Sequence, residues 1–156
     1  MSVNDDEVRA LLAQLDEGRQ SWIDGKLAVG AGFDVEQDED MTIFGPFGSL
    51  FRGTAELAGR QDRAASLFSG GSGHCEVIKT IVADGVVVVI QVERSEAHVQ
   101  RSQEAQPWVL RTTQVFERRG DRWVRLHRHA DPLIELRPPE LTFAIARGEI
   151  RQAEPT

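Results

Sequence analysis

The sequence is short of cysteine, of long apolar runs and of basic side chains. Its single cysteine, Cys75, excludes an intrachain disulfide and fits a reducing compartment. No apolar run approaches the roughly 20 residues that cross a bilayer, and residues 86–90 have only the length of a core strand. The start of the chain is acidic, with Asp5, Asp6 and Glu7, and lacks the basic and apolar regions of a secretory signal. We therefore expect a cytoplasmic protein without a membrane segment.

The chain has 18 Lys and Arg against 25 Asp and Glu, which gives a net charge of −7. Nucleic-acid binding needs a basic face that neutralises phosphates, so we expect no nucleic-acid partner. The charge is uneven, because residues 34–40 carry five acidic side chains and residues 118–128 are rich in arginine. Both segments are typical of solvated surface, and a complementary contact between two subunits is the alternative.

The first third of the chain has helical spacing. Asn4 and Glu7 stand at capping-box distance, and a stripe of apolar residues follows before Asp24-Gly25 ends the helix. We expect a second short helix over residues 26–33 and a third over residues 55–68, capped by Thr54. Residues 69–73, rich in Ser and Gly, predict a flexible break.

From His74 onward the pattern is that of β-strands. Four strands, at residues 74–83, 86–94, 109–117 and 123–130, are predicted to form antiparallel hairpins around Asp84-Gly85 and Gly120. A short strand at residues 41–44 ends at a Gly-Pro turn. Residues 134–156 form a C-terminal extension with a short helix over 140–147. Helices followed by strands predict one α+β domain over residues 1–156, with helices on one face of a curved antiparallel sheet.

Two stretches carry a resemblance to a known superfamily. Residues 40–49, DMTIFGPFGS, with RGTA after them, resemble ketosteroid isomerases. RTTQ at residues 111–114, with Gly120, Trp123, His127 and His129, resembles the association domain of calmodulin-dependent kinase. Both families belong to the nuclear transport factor 2-like (SnoaL-like) superfamily, and the similarity covers about residues 6–133. It implies a conical barrel of cystatin-like type, a pocket between sheet and helices, and a homodimer.

Within that resemblance, classical ketosteroid isomerisation is not expected. The base of those enzymes immediately precedes the proline of the Gly-Pro turn, where this chain has Gly45. The chain also contains no tyrosine, the usual donor to the oxyanion. If Gly45 faces inward, strand alternation places Met41 and Ile43 inward as an apolar wall and Thr42 outward.

The last strand supplies two titratable candidates, His127 and His129, which alternation places on one face with Trp123 and Arg125. Three roles stay open for them: hydrogen-bonded residues that orient the sheet, acid–base or ligand-contacting groups, or metal ligands together with Asp131. His129 is the best catalytic candidate. We expect no metal and no cofactor.

Arg111 has two open roles, an ion pair with Glu76 or Glu93 and the binding of a ligand carboxylate. Trp22 and Trp108 fit the core or the pocket rim, and Cys75 fits a buried thiol better than a nucleophile. The predicted pocket consists of Met41, Ile43, Phe47, Trp108, Arg111, His127 and His129.

The predicted function is that of a SnoaL-like protein that binds a small apolar or carboxylate-bearing molecule, with proton transfer or hydration as the reaction class. The alternative is a non-catalytic association module whose sheet mediates oligomerisation. An open cavity on which Arg111 and His129 converge favours ligand binding, whereas an interior filled by Phe and Trp favours the module.

Overall fold

The computed structural model describes residues 3–26, 35–57 and 59–149. Ten elements follow one another along the chain, six strands and four helices. They are α1 (Asp5–Ile23), β1 (Val35–Phe44), β2 (Leu50–Arg52), α2 (Gly53–Leu57), α3 (Arg60–Ala65), β3 (Phe68–Ala83), β4 (Val86–Val99), β5 (Gln106–Arg119), β6 (Arg122–Asp131) and α4 (Pro139–Ala146). Among the described residues, no helix is both long and apolar enough to cross a membrane.

The first helix begins at the predicted capping box. The Asn4 side chain accepts a hydrogen bond from the Glu7 backbone N–H at 2.9 Å, and the Glu7 carboxylate accepts one from the Asn4 N–H at 3.0 Å. These two bonds satisfy backbone donors that would otherwise have no partner in the first turn. The helix ends at Ile23, before the predicted break at Asp24-Gly25.

Six strands form one curved sheet in the order β2-β1-β6-β5-β4-β3. Strands β3 to β6 pair antiparallel, as predicted, and Asp84 and Gly85 join β3 to β4 with φ angles of 46° and 79°. Positive φ at both positions is the mark of a tight hairpin turn. The α+β class is confirmed. The sheet nevertheless differs from a closed antiparallel cone, because β1 runs parallel to β6 and the edge strands β2 and β3 do not pair.

The helix predicted over residues 55–68 is wrong in its extent. Two short helices, α2 and α3, replace it. Gly59 separates them with a φ of 73°, which glycine adopts without the steric cost that other residues meet. Phe68 already belongs to β3. The short helix predicted over residues 26–33 lies, beyond Lys26, outside the described residues.

The flexible break predicted at residues 69–73 is also wrong, because these residues form the start of β3. At Gly73 a Cβ atom would overlap the carbonyl oxygen of Arg94 on the neighbouring strand. Glycine is therefore required here for close backbone approach and does not mark a mobile linker.

Ion pairs join the acidic segment to the arginine-rich hairpin within one chain. Arg119 contacts Asp38 at 2.6 Å, and Arg122 contacts Glu36 at 2.6 Å. The parallel pairing of β1 with β6 brings the two segments together. Both arginines are about half exposed or more, so each pair adds little to stability.

The inner face of the sheet packs against α1 through two apolar clusters. Leu11 and Leu15 contact the first of them, with Val87, Val89, Phe116 and Trp123 on the sheet. Ile23 packs with Phe68 and Ala97 in the second. Between the clusters the inner face carries polar side chains, among them Glu93 and Ser95. The predicted C-terminal helix is present as α4 and contributes no buried side chain.

Candidate functional site

A cavity of about 340 Å³ opens between the inner face of the sheet, α1 and the short helices α2 and α3. One wall is apolar and includes Trp22, Ile23, Ile43, Phe47, Trp108 and Leu110. Phe47 stacks on Trp108 with ring centroids 5.5 Å apart and 28° between the planes, and the edge of Phe68 meets Trp108 at 5.2 Å. The aromatic rings therefore border an open space and do not fill it.

The side of the cavity formed by the sheet is polar, and we call it the floor: Glu93 from β4, Gln114 from β5, and Arg125 and Arg128 from β6. Arg128 donates to both carboxylate oxygens of Glu93, at 3.0 and 3.1 Å. Such a two-point pair fixes the direction of both side chains. Both are mostly buried, with side-chain exposures of 21% and 12%.

Arg125 is buried as well, with its guanidinium 5.5 Å from the centroid of the Phe116 ring. Burial, and next the charge of Arg128, lower the pKa of Arg125 to about 9, while Glu93 has the opposite effect. The guanidinium therefore still carries its positive charge at neutral pH.

Arg19 ties α1 to the sheet at one side of the cavity. Its guanidinium donates to Ser95 Oγ at 3.1 Å, to the Gly73 carbonyl at 2.8 Å and to Asp16 at 3.0 Å. Because these contacts engage the buried head group from three sides, Arg19 has a positioning role in the wall. Two further cations, Lys26 and Arg60, are exposed and form what we call the rim of the cavity.

Two carboxamides reach the cavity without a complete set of hydrogen bonds. The Oε1 atoms of Gln114 and Gln37 are buried and have no hydrogen-bond partner. Gln114 is only 2% exposed, so bulk solvent has little access to it. Buried polar atoms are nearly always satisfied in folded proteins, so an exception in a cavity wall is a candidate contact for a bound molecule.

Three of the residues predicted for the pocket line the cavity: Ile43, Phe47 and Trp108. Met41 also faces inward, as strand parity predicts, but is buried beside the cavity in a cluster with Ile43 and Leu57. Gly45 lines the cavity at the end of β1 and contributes no side chain there.

The other three, Arg111, His127 and His129, lie on the opposite, outer face of the sheet. Arg111 donates two hydrogen bonds to Asp131, at 2.9 and 3.0 Å. The predicted partners are therefore wrong, because Glu76 pairs with Arg94 and Glu93 with Arg128.

A β-bulge explains the position of the histidines. Val115 pairs with His127 and Phe116 with Arg125, so Leu126 has no partner on β5. One extra residue reverses the direction of every side chain after it. Trp123 and Arg125 consequently face inward while His127 and His129 face outward, contrary to the shared face that strict alternation predicts.

On the outer face, His127 is held by neighbours on β1. Its Nδ1 lies 2.7 Å from Thr42 Oγ1, and the ring meets Phe44 edge-on at 5.4 Å. Burial, and next the charge of His129, lower the pKa of His127, against the smaller opposing effect of Thr42. These contacts are those of a residue that fixes the pairing of β1 with β6.

Neither a metal site nor a reactive thiol emerges from the geometry. In the parts of the chain that the structure describes, no three His, Cys, Asp or Glu side chains are grouped to hold a metal ion. Burial is the main cause that raises the pKa of Cys75 to about 12, followed by the charges of Glu93 and Asp16. The thiol is therefore protonated at neutral pH and a poor nucleophile.

The floor was not among the predicted site residues, although β4 contains a signal for it. The side chains of β4 that face inward, as burial and register show, are Val87, Val89, Gln91, Glu93, Ser95 and Ala97. Three polar residues in the middle of an apolar alternation mark the part of the inner face that no apolar partner covers.

No family profile matches the sequence, and no curated protein matches it. Solved structures do match. A protein of the nuclear transport factor 2-like family from Streptomyces avermitilis, named as a candidate dehydratase, superposes with a TM-score of 0.66 at 13% identity, over 84% of this chain and 99% of that one. The chain has a nuclear transport factor 2-like fold.

Two further structures share this nuclear transport factor 2-like fold. A domain of unknown function with a cystatin-like fold from Nostoc punctiforme gives a TM-score of 0.65 at 15% identity, over 96% of this chain and 90% of that one. The calcium/calmodulin-dependent kinase II hub of S. rosetta gives 0.59 at 17% identity, over 79% and 94%. At such identities the likeness concerns the fold, and function has to be inferred from the cavity.

Proposed function

We propose that this protein binds a small molecule with an apolar body and a carboxylate group in the cavity between sheet and helices. The observation that carries the proposal is the cavity itself, which combines an aromatic and aliphatic wall with a cationic rim. Its volume of about 340 Å³ falls in the range of small-molecule sites, roughly 300 to 1,000 Å³.

The distribution of charge favours one orientation of the ligand. At the floor, the Glu93 carboxylate already occupies the two-point contact of Arg128, so a ligand carboxylate would have to displace it there. At the rim, Lys26 and Arg60 are exposed, and the Arg60 guanidinium lies 5.2 Å from the centroid of the Phe51 ring. We therefore place the carboxylate of the ligand at the rim and its apolar body against the aromatic wall.

Calorimetric titration with 2-naphthoate tests this function, with 2-naphthalenemethanol as the neutral analogue. We expect the carboxylate to bind more tightly than the alcohol. Arg60→Glu should weaken binding of the carboxylate by roughly fivefold or more, as expected for loss of one exposed charge contact and its reversal. Arg63→Glu is the matched control, because Arg63 is exposed on the same helix and does not line the cavity. Absence of binding by both compounds would refute the proposal.

Among the described residues that line the cavity, Glu93 is the one with a carboxylate. We therefore propose Glu93 as the proton-transfer group of any reaction in this cavity. Proton transfer or hydration remains the reaction class that we propose. Classical ketosteroid isomerisation does not fit, since Gly45 stands where the related base would be and the chain has no tyrosine.

Self-association is the second candidate function, and the outer face of the sheet supports it. Ile81, Val88, Ile90, Val92 and Val115 alternate onto this face and are only partly buried. Partly bare apolar surface of this kind is typical of interfaces. One structural neighbour is itself a hub domain.

We propose a homodimer through this outer face. Sedimentation equilibrium should show a dimer at micromolar concentration for the unaltered chain and a monomer for Ile90→Lys. Ile145→Lys is the control, because it places the same charge on an exposed apolar site of α4. A monomeric unaltered chain would contradict the dimer.

A further inference from the structure

Gln114 is a buried carboxamide that the fold leaves incompletely bonded at the cavity floor. It lies in the middle of β5, its side chain faces inward, and only 2% of the residue is exposed. Its Oε1 atom has no hydrogen-bond partner. An amide oxygen that is desolvated without a donor costs free energy, so a fold retains it where another molecule supplies the donor.

The neighbours of Gln114 do not supply that donor. Arg128 on β6 is paired with Gln114, but it donates two N–H groups to Glu93 and none to the Gln114 oxygen. On the other side, the buried polar atoms of Gln91 and Thr112 are also without partners, but these two residues do not line the cavity. Gln114 is thus the member of this polar group that lines the cavity.

A second acceptor borders the same space. Gln37 on β1 lines the cavity, and its Oε1 is likewise buried and without a partner. Two acceptors without a hydrogen-bond partner therefore border the cavity, Gln114 on the floor and Gln37 on β1. A molecule that carries an O–H or N–H group at its inner end would provide a donor for one of them, whereas an ether or an alkyl group would not.

We infer that Gln114 accepts a hydrogen bond from a hydroxyl or amide N–H at the inner end of the ligand. This inference rests on the proposed function, which places the carboxylate at the rim. Together they define the ligand class as apolar, ring-sized carboxylates that bear a hydrogen-bond donor at the end opposite the carboxylate. A donor at that end is recognised because the alternative leaves the buried Gln114 oxygen unpaired.

The test compares 6-hydroxy-2-naphthoate with 6-methoxy-2-naphthoate by calorimetric titration. The two compounds share ring and carboxylate and differ in whether the inner oxygen can donate. The unaltered protein should bind the hydroxyl compound at least about tenfold more tightly. In Gln114→Leu this preference should fall below about twofold. Thr112→Val is the matched control, because it removes a buried, unpaired polar atom that does not line the cavity, and it should retain the preference.

The outcomes distinguish the role of Gln114 from the binding of a ligand in the cavity. Equal affinity of the two compounds for the unaltered protein would overturn the role of Gln114 while leaving ligand binding intact. Failure of both compounds and of 2-naphthoate to bind would overturn the proposed function itself. If Gln114→Leu does not fold, as judged by circular dichroism, Gln114→Met provides an unbranched side chain of similar length. A preference that survives in Gln114→Met would also overturn the inference.

Discussion

Arg128 on β6 extends across β5 and donates hydrogen bonds to both carboxylate oxygens of Glu93 on β4. The contact spans three adjacent strands on the inner face and leaves each side chain with most of its surface buried. A pair in this position fixes the charge of the cavity floor, because either partner alone would be a desolvated ion.

Replacement of Glu93 or Arg128 alone should therefore lower the free energy of unfolding more than replacement of both. We expect Glu93→Leu and Arg128→Met each to lower the free energy of unfolding by about 3 kcal/mol, and the double variant to be less destabilised than either. Urea denaturation measures all three. The control is Glu76→Leu, whose pair with Arg94 is 45% exposed on both sides and should cost less than about 1 kcal/mol. Additive losses in the double variant would show that the two charges do not depend on each other.

Stability should fall as the pH drops through the range below 6.5, in part because of His127. Its pKa in the folded state lies below the ordinary value of 6.5, so the unfolded chain takes up a proton that the folded chain resists. The contribution of this residue is therefore present above pH 6.5 and is lost on acidification. Thermal unfolding against pH should show a shallower decline for His127→Gln. His74→Gln, at an exposed site on β3, should follow the unaltered protein; equal slopes for all three would contradict the prediction.

Gly73→Ala should destabilise the edge of the sheet. The added Cβ would overlap the Arg94 carbonyl, and relief requires β3 and β4 to separate locally. The expected loss is about 1 to 3 kcal/mol, as for other over-packed sites. The comparison is Ser72→Ala, one residue earlier on the same strand, which adds no atom. A Gly73→Ala variant as stable as Ser72→Ala would show that the two strands can separate at no cost.

The purified protein should not isomerise a β,γ-unsaturated ketosteroid above the background rate. Gly45 provides no base at the end of β1, and the chain has no tyrosine to stabilise an oxyanion. The ultraviolet absorbance of the conjugated product follows the reaction directly. A rate above background that disappears in Glu93→Gln would mean that Glu93 replaces the missing base.

Local patterns predicted much of this fold. The capping box at Asn4 and the Asp84-Gly85 turn are short-range signals that act within a few residues, and both are present as predicted. The prediction of one helix over residues 55–68 was wrong because Gly59 adopts a left-handed conformation between two shorter helices. The glycines after Phe68 suggested mobility, yet at Gly73 the backbone of β4 leaves no room for a side chain.

For the cavity, the parity argument on β1 predicted the inward direction of Met41 and Ile43, because no irregularity lies between them and the Gly-Pro turn. The same argument failed on β6 because the unpaired Leu126 has no signal of its own in the sequence. Bulges depend on how two paired strands fit together. The floor at Glu93 and Gln114 was not predicted for a different reason, since polar residues in an apolar alternation do not by themselves show that a cavity lies over them.

The bulge at Leu126 makes the register between β5 and β6 as important to the cavity as the composition of β6. A substitution at Arg128 or His129 alters one face of the sheet and leaves the other as it is. Deletion of residue 126 would keep Arg125 inward, His127 outward and Arg128 inward, because the remaining residues then alternate without interruption. Pairing of Leu126 with Val115 in a strand of unchanged length would instead turn the strand end over, so that the histidines enter the cavity and Arg128 leaves it. The presence or absence of this bulge is therefore the feature to compare first when the chemistry of such cavities diverges.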